Sequence, residues 1–208
     1  MKAIFIIAMF LFLHADSLCQ KNKNYRTPPK APTKKELAQE RENHNCVQKH
    51  NSSFADRLMK YPFNKFKKII LVSYLAQPIS KEEPGVYAHI GLPKENDTIC
   101  YSKLHEMVTL NMEQVDSLTN ILFNVGFKGR TFLISEMNCY DPRNAILFID
   151  SNNKAFEYIE ICFGCDKFEP SSNKIYFGEI CEQKFELLRN FFSISGIKYG
   201  TSHEGPLD

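Results

Sequence analysis

Apolar positions along the chain fall into helical stripes and continuous runs. In NMEQVDSLTNILFNVG, residues 111–126, Val115, Leu118, Ile121 and Leu122 recur at helical spacing and form one stripe. Asn111 is a capping residue, Gln114 completes a capping box, and Gly126 is expected to close the helix. A second stripe, Phe185, Leu188 and Phe192, predicts a helix from Glu182 to Ser193 with Gly196 after its end. KIILVSYLA, from Lys68, is continuous and rich in β-branched residues, as a buried strand would be. Further strands are expected at 130–138, 144–150 and 155–163, with a weaker one at 174–180. Residues 76–98 read as loop, punctuated by Pro78, Pro84, Gly85, Gly91 and Pro93, around a short strand at Val86–Ile90. This order predicts an α+β fold: a largely antiparallel sheet of four or five strands, two packed helices and an N-terminal basic helical arm.

One hairpin can be placed in register. Asn152-Asn153 reads as a two-residue turn, because Asn tolerates the positive φ such turns need. Partner numbers then sum to 305, so Ile149 faces Phe156, Leu147 faces Tyr158, Ala145 faces Glu160 and Arg143 faces Cys162. Beyond Pro142, Tyr140 falls opposite Cys165, and a bulge at Pro142 brings Cys139 to the Cys162/Cys165 pair. Arg143 and Glu160 become diagonal neighbours, ~7–8 Å apart and within reach of each other. They read as an ion pair at the hairpin mouth, or as an anion-gripping arginine with a carboxylate beside it.

The first residues change the picture of where the chain goes. MKAIFIIAMFLFLHADSLCQ has a lysine, an eleven-residue apolar run and then small or polar residues, the pattern of a secretory signal peptide over 1–19. Cleavage fits after Ser17 or after Cys19. A lipidated Cys19 is the alternative, but Leu18 is bulky where that signal wants a small residue. Residues 21–68 carry thirteen Lys/Arg against four acids, a charge of +9, while residues 69–208 carry −7. Residues 20–62 are therefore expected to be a basic linker and weak helical arm, with TKKE at 33–36 as a capping box and a short second helix around Phe54 and Leu58. A single α+β domain is expected over 63–200, with a disordered tail at 201–208. The arm could touch an anionic envelope surface; no basic-aromatic platform for nucleic acid appears.

Export makes the cysteines the candidate chemistry. Without Cys19, six remain: Cys46, Cys100, Cys139, Cys162, Cys165 and Cys181. An even number in an oxidising compartment points to disulfides. The hairpin favours Cys139 with Cys162 or Cys165, and Cys46 with Cys100 would pin the arm. The metal alternative gathers Cys139, Cys162, Cys165 and Cys181 as a four-thiolate zinc site, for which Cys-x-x-Cys spacing is suitable but a second such pair is missing. A redox pair is disfavoured, because DKFEPSSNK after Cys165 lacks the helix that would lower a thiol pKa. HNCVQKH, with His44, Cys46 and His50, reads as surface rather than metal site.

CYDPRNAILFIDSNNKAFEYIEICFGC, residues 139–165, resembles a Cys-aromatic-x-Pro-Arg … Ile-Cys-Phe-x-Cys motif of uncharacterised exported proteins of Gram-negative bacteria. The GEIC…FELLRNFF ending and the LVSY strand share the likeness. The resemblance implies export, to the periplasm or cell surface, and grouped cysteines; it implies no reaction. The expectation is a non-catalytic binding or envelope-associated module without a cofactor, against a zinc- or thiol-dependent protein using the same cluster.

Overall fold

NAILFI, residues 144–149, is buried at all six positions, and the computed structural model makes it the middle of the sheet. The structure describes residues 31–75, 77–78, 87–88, 91–131 and 139–201. The expected signal peptide, residues 132–138 of the strand expected at 130–138 and residues 202–208 of the tail expected at 201–208 lie outside them. Along the chain run α1 (Lys34–His44), β1 (Cys46–Gln48), α2 (Phe54–Leu58), β2 (Lys68–Ser73), β3 (Gln77–Pro78), β4 (Tyr87–Ala88), β5 (Lys94–Glu95) and β6 (Thr98–Ile99). Then come β7 (Glu106–Thr109), α3 (Met112–Phe123), β8 (Val125–Phe127), β9 (Asn144–Ile149), β10 (Ala155–Cys162), β11 (Lys167–Pro170) and α4 (Lys184–Ser195). The fold is α+β.

Five strands form the main sheet in the order β11-β10-β9-β2-β7, antiparallel throughout. Alternate residues point to opposite faces, so each face has its own core. On one face, Ile69, Leu71, Ile146, Phe148, Ile159 and Ile161 meet Val115, Leu118 and Leu122 of α3 and Phe185, Leu188 and Phe192 of α4. On the other, Val72, Tyr74, Ala145, Leu147 and Ile149 are covered by Leu92 and Ile99, with Tyr101 and Leu104 beside them. A central strand covered on both sides is apolar along its length, which accounts for the unbroken AILFI run after Asn144.

The β9–β10 register follows the sum of 305 from Glu157–Phe148 to Ile161–Asn144. The turn differs from the expected two-residue one. Asp150 N–H donates to the Lys154 carbonyl, Asp150 Oδ1 accepts from the Asn152 and Lys154 amides, and Asn153 takes φ +61°. Three residues therefore make the loop, Ala155 rather than Phe156 faces Ile149, and a bulge at Phe156 restores the register.

The other departures are local. Asn111 and Gln114 form the expected capping box, but α3 ends at Phe123 with Asn124 as its C-cap, and Gly126 belongs to β8. Gly196, at φ +112°, does terminate α4. Residues 174–180 form no strand; the outer strand is β11, ending at Pro170, where an edge position needs no N–H donor.

The largest correction concerns the arm. The chain divides into Met1–Pro32 and a compact unit Thr33–Asp208, so the boundary expected at residue 63 lies far earlier. The Thr33 box caps α1, which buries no residue. β1 pairs with β8, and Phe54 and Leu58 of α2 rest against the helix-side core. Arg57, 5% exposed, donates to Thr119 Oγ1, the Ser52 carbonyl and Asp116. From residue 46 onward, a segment that its charge marks as solvated is bound to the globule.

Glu157, 7% exposed, fixes the β10–β11 corner by accepting from Tyr61 (2.5 Å), Ser172 (2.8 Å) and Ser171. Burial acts to raise its pKa, but the Ser171, Tyr61 and Ser172 hydroxyls outweigh it and hold the carboxyl below its ordinary value of 4.5. A depressed folded-state pKa contributes stability above the unfolded value and loses it as pH falls below 4.5. Urea midpoints measured from pH 6 down to about 3 should fall less steeply for Glu157→Gln than for the native chain. Parallel curves would show that Glu157 contributes nothing to acid sensitivity.

Candidate functional site

The hairpin mouth brings part of the predicted cluster together. Cys139 is bonded to Cys165, with Cα atoms 5.8 Å apart. Cys162, opposite that bridge in the Cys-x-x-Cys turn, is a free thiol and 1% exposed. Its sulfur accepts the Asp141 amide at 3.4 Å, and the Cys162 carbonyl accepts the Cys165 amide at 3.4 Å. The turn leads into β11 rather than a helix, so no helix dipole acts on either sulfur.

Cys181 leaves the predicted set. It is bonded to Cys46, with Cα atoms 5.1 Å apart, and the partner expected for Cys46, Cys100, is a free thiol near Ser102. Three of the four sulfurs of the supposed zinc site are thus held in disulfides, and the four-thiolate arrangement is not assembled. Among the described residues, no group of three or more His, Cys, Asp or Glu side chains is placed to hold a metal ion. His44 instead sits by Glu40 at 3.4 Å, and His50 by Glu179 at 3.9 Å.

Arg143 and Glu160 share a sheet face as expected but do not pair. Arg143 donates to Asp141, two residues back, at 3.1 Å. Glu160, 8% exposed, accepts the Tyr74 hydroxyl at 3.1 Å and the Leu92 amide. Gly91, at φ +72°, passes so close that a Cβ there would lie 2.7 Å from Glu160 Oε1. The carboxylate therefore clamps the segment that carries Leu92 onto the sheet, a role that pattern reading could not assign because that segment reads as loop. Burial first, and then the Glu160 charge, push the Tyr74 and Tyr140 hydroxyls up from their ordinary values. At the rim, Lys94 donates to Tyr158 at 2.6 Å with its ammonium 4.6 Å from the ring centroid; burial opposes its charge, but the Tyr158 bond holds its pKa above the ordinary value.

The carboxylate, the thiol and Tyr74 are shielded from solvent, and the carboxylate and the thiol are each taken by backbone amides. Pattern reading also missed the most unusual buried group. Lys184 is fully buried, and its Nζ donates to the carbonyls of Ile121 (2.6 Å), Leu122 (3.2 Å) and Val125 (2.7 Å). The Ile121 and Leu122 carbonyls lie in the last turn of α3, which leaves them without helical partners, and Val125 opens β8. Gly178, at φ +85°, is needed there as well, because a Cβ would overlap the Leu122 carbonyl. No helix of the described residues is long and apolar enough to cross a membrane, and the two disulfides are compatible with an exported protein. Comparison of the chain with protein-family models, with curated proteins and with solved structures returns no match.

Proposed function

We propose that the protein is an exported, non-catalytic binding module of the bacterial envelope whose cysteines are structural. The observation that carries this reading is the pair of bridges. One joins β1 to the residues just before α4, and the other closes the hairpin mouth. Bridges of this kind persist in oxidising compartments and are rare in the cytosol. The signal-peptide pattern at residues 1–19 supports the same destination, and the +9 charge of residues 21–68 suits contact with an anionic envelope surface. The buried carboxylate and thiol, both held by backbone amides, support a structural rather than a catalytic role for the cluster.

Intact-mass spectrometry of protein recovered from the envelope fraction tests the reading. Expected is a chain cleaved after Ser17 or Cys19 and lighter by four hydrogens than its reduced form, two for each bridge. An uncleaved cytosolic chain with free thiols would overturn it. So would zinc retained in the native spectrum, or reduction of a test disulfide by Cys162 and Cys165.

A further inference from the structure

A cavity of about 210 Å³ opens beside the C-terminal end of α3, away from the hairpin mouth and its cysteines. It lies below the ~300–1,000 Å³ of sites for drug-sized molecules, so its occupant is small. Two aromatic rings line it, and Tyr176 is the open one. Phe123 and Tyr176 lie 13° from parallel with centroids 6.4 Å apart, and Tyr176 is 59% exposed. A ring of that size left open to water is an unused apolar contact surface.

The charges around the wall are unequal. Glu179 is neutralised: both its oxygens accept from Lys49 Nζ at 2.8 Å, and one takes the Phe127 amide at 2.9 Å. Lys60 is not. Its ammonium sits 5.4 Å from the Phe123 ring centroid; among the described residues it makes no close ion pair, and its charge reaches Asp56, one helical turn back. Ser52 and Tyr176 add hydroxyls that carry no hydrogen bond among the described residues, and His50 lines the same opening. The cavity therefore offers an aromatic ring, one cation outside any close ion pair among the described residues, and hydroxyl donors.

We propose that this cavity is a binding site for a small aromatic carboxylate, its ring against Phe123 and Tyr176 and its anionic group at Lys60 and Ser52. An aliphatic acid lacks the stacking partner, and an aromatic amine meets Lys60 with like charge. The site gives the binding role above a place. Because the titration below does not depend on cysteine pairing or on cellular location, its failure and the failure of that role are separate results.

The probe is benzoate, titrated into the oxidised, ¹⁵N-labelled protein while amide shifts are followed. Expected are saturable shifts centred on His50, Ser52, Phe123 and Tyr176, with neither acetate nor benzylamine reproducing them. Lys60→Met and Tyr176→Ala, both at exposed positions and so compatible with folding, should each weaken the affinity about tenfold. The proposal is overturned if the shifts do not saturate, if acetate or benzylamine matches benzoate, or if either variant binds as the native chain does.

Discussion

Replacing Cys46 and Cys181 together by alanine should lower the free energy of unfolding by about 5 kcal/mol, the largest single loss we expect in this molecule. The bridge spans 135 residues of sequence, so cutting it releases the longest loop in the unfolded chain. The same relation gives about 3.5 kcal/mol for Cys139 and Cys165, whose separation is 26. The difference of about 1.5 kcal/mol is the sharper quantity, because a common error in the reference state cancels from it. Urea titrations of the two double variants measure it directly. Equal losses would show that the bridges act through native-state contacts instead. The folded variant should keep the β1–β8 pairing, since those hydrogen bonds and the Cys46 amide bond to Gln183 Oε1 at 2.8 Å do not depend on sulfur.

Lys184→Met should cost about 2–4 kcal/mol. Methionine fills a similar volume but leaves the carbonyls of Ile121, Leu122 and Val125 without their donor in a site closed to water. The loss is less than the sum of three bonds, because the desolvation of the ammonium disappears with it. That desolvation lowers the folded-state pKa of Lys184 from 10.5 to about 8. Between those two values the unfolded chain binds more protons, so the native protein gains stability as pH rises through the interval. The methionine variant should lack that gain. Denaturant midpoints at pH 7 and pH 9 separate the two effects, and a variant as stable as the native chain at pH 7 would remove Lys184 from the account.

What could be read from the chain follows from what pattern can encode. Alternation with period two sets which residues share a sheet face, so Leu147–Tyr158 and Ala145–Glu160 were legible even though the turn was misread. The bulge at Phe156 absorbed the one-residue error. The stripes of α3 and α4 were legible for the same reason. Buried charge was not, because Arg57 and Lys184 look like surface residues until the carbonyls and carboxylate that receive them are placed. That blindness put residues 46–62 outside the domain. β7 escaped notice because four residues are too few to show a period. Cys181 was grouped with the Cys-x-x-Cys turn as a fourth thiolate, and its bridge across 135 residues leaves no local trace. Arg143 and Glu160 were correctly placed on one face, but each found a nearer partner, Asp141 and the Leu92 amide, that strand register alone does not reveal.

The Cys46–Cys181 bond also makes most of this polypeptide a covalent ring. A single cut by a protease at any peptide bond from residue 46 to residue 181 opens that ring without releasing either piece. The nicked molecule keeps its mass apart from one added water, and its two halves separate only when the sulfurs are reduced. Wherever the chain meets a protease, such damage would be survivable and, on a non-reducing gel, nearly invisible.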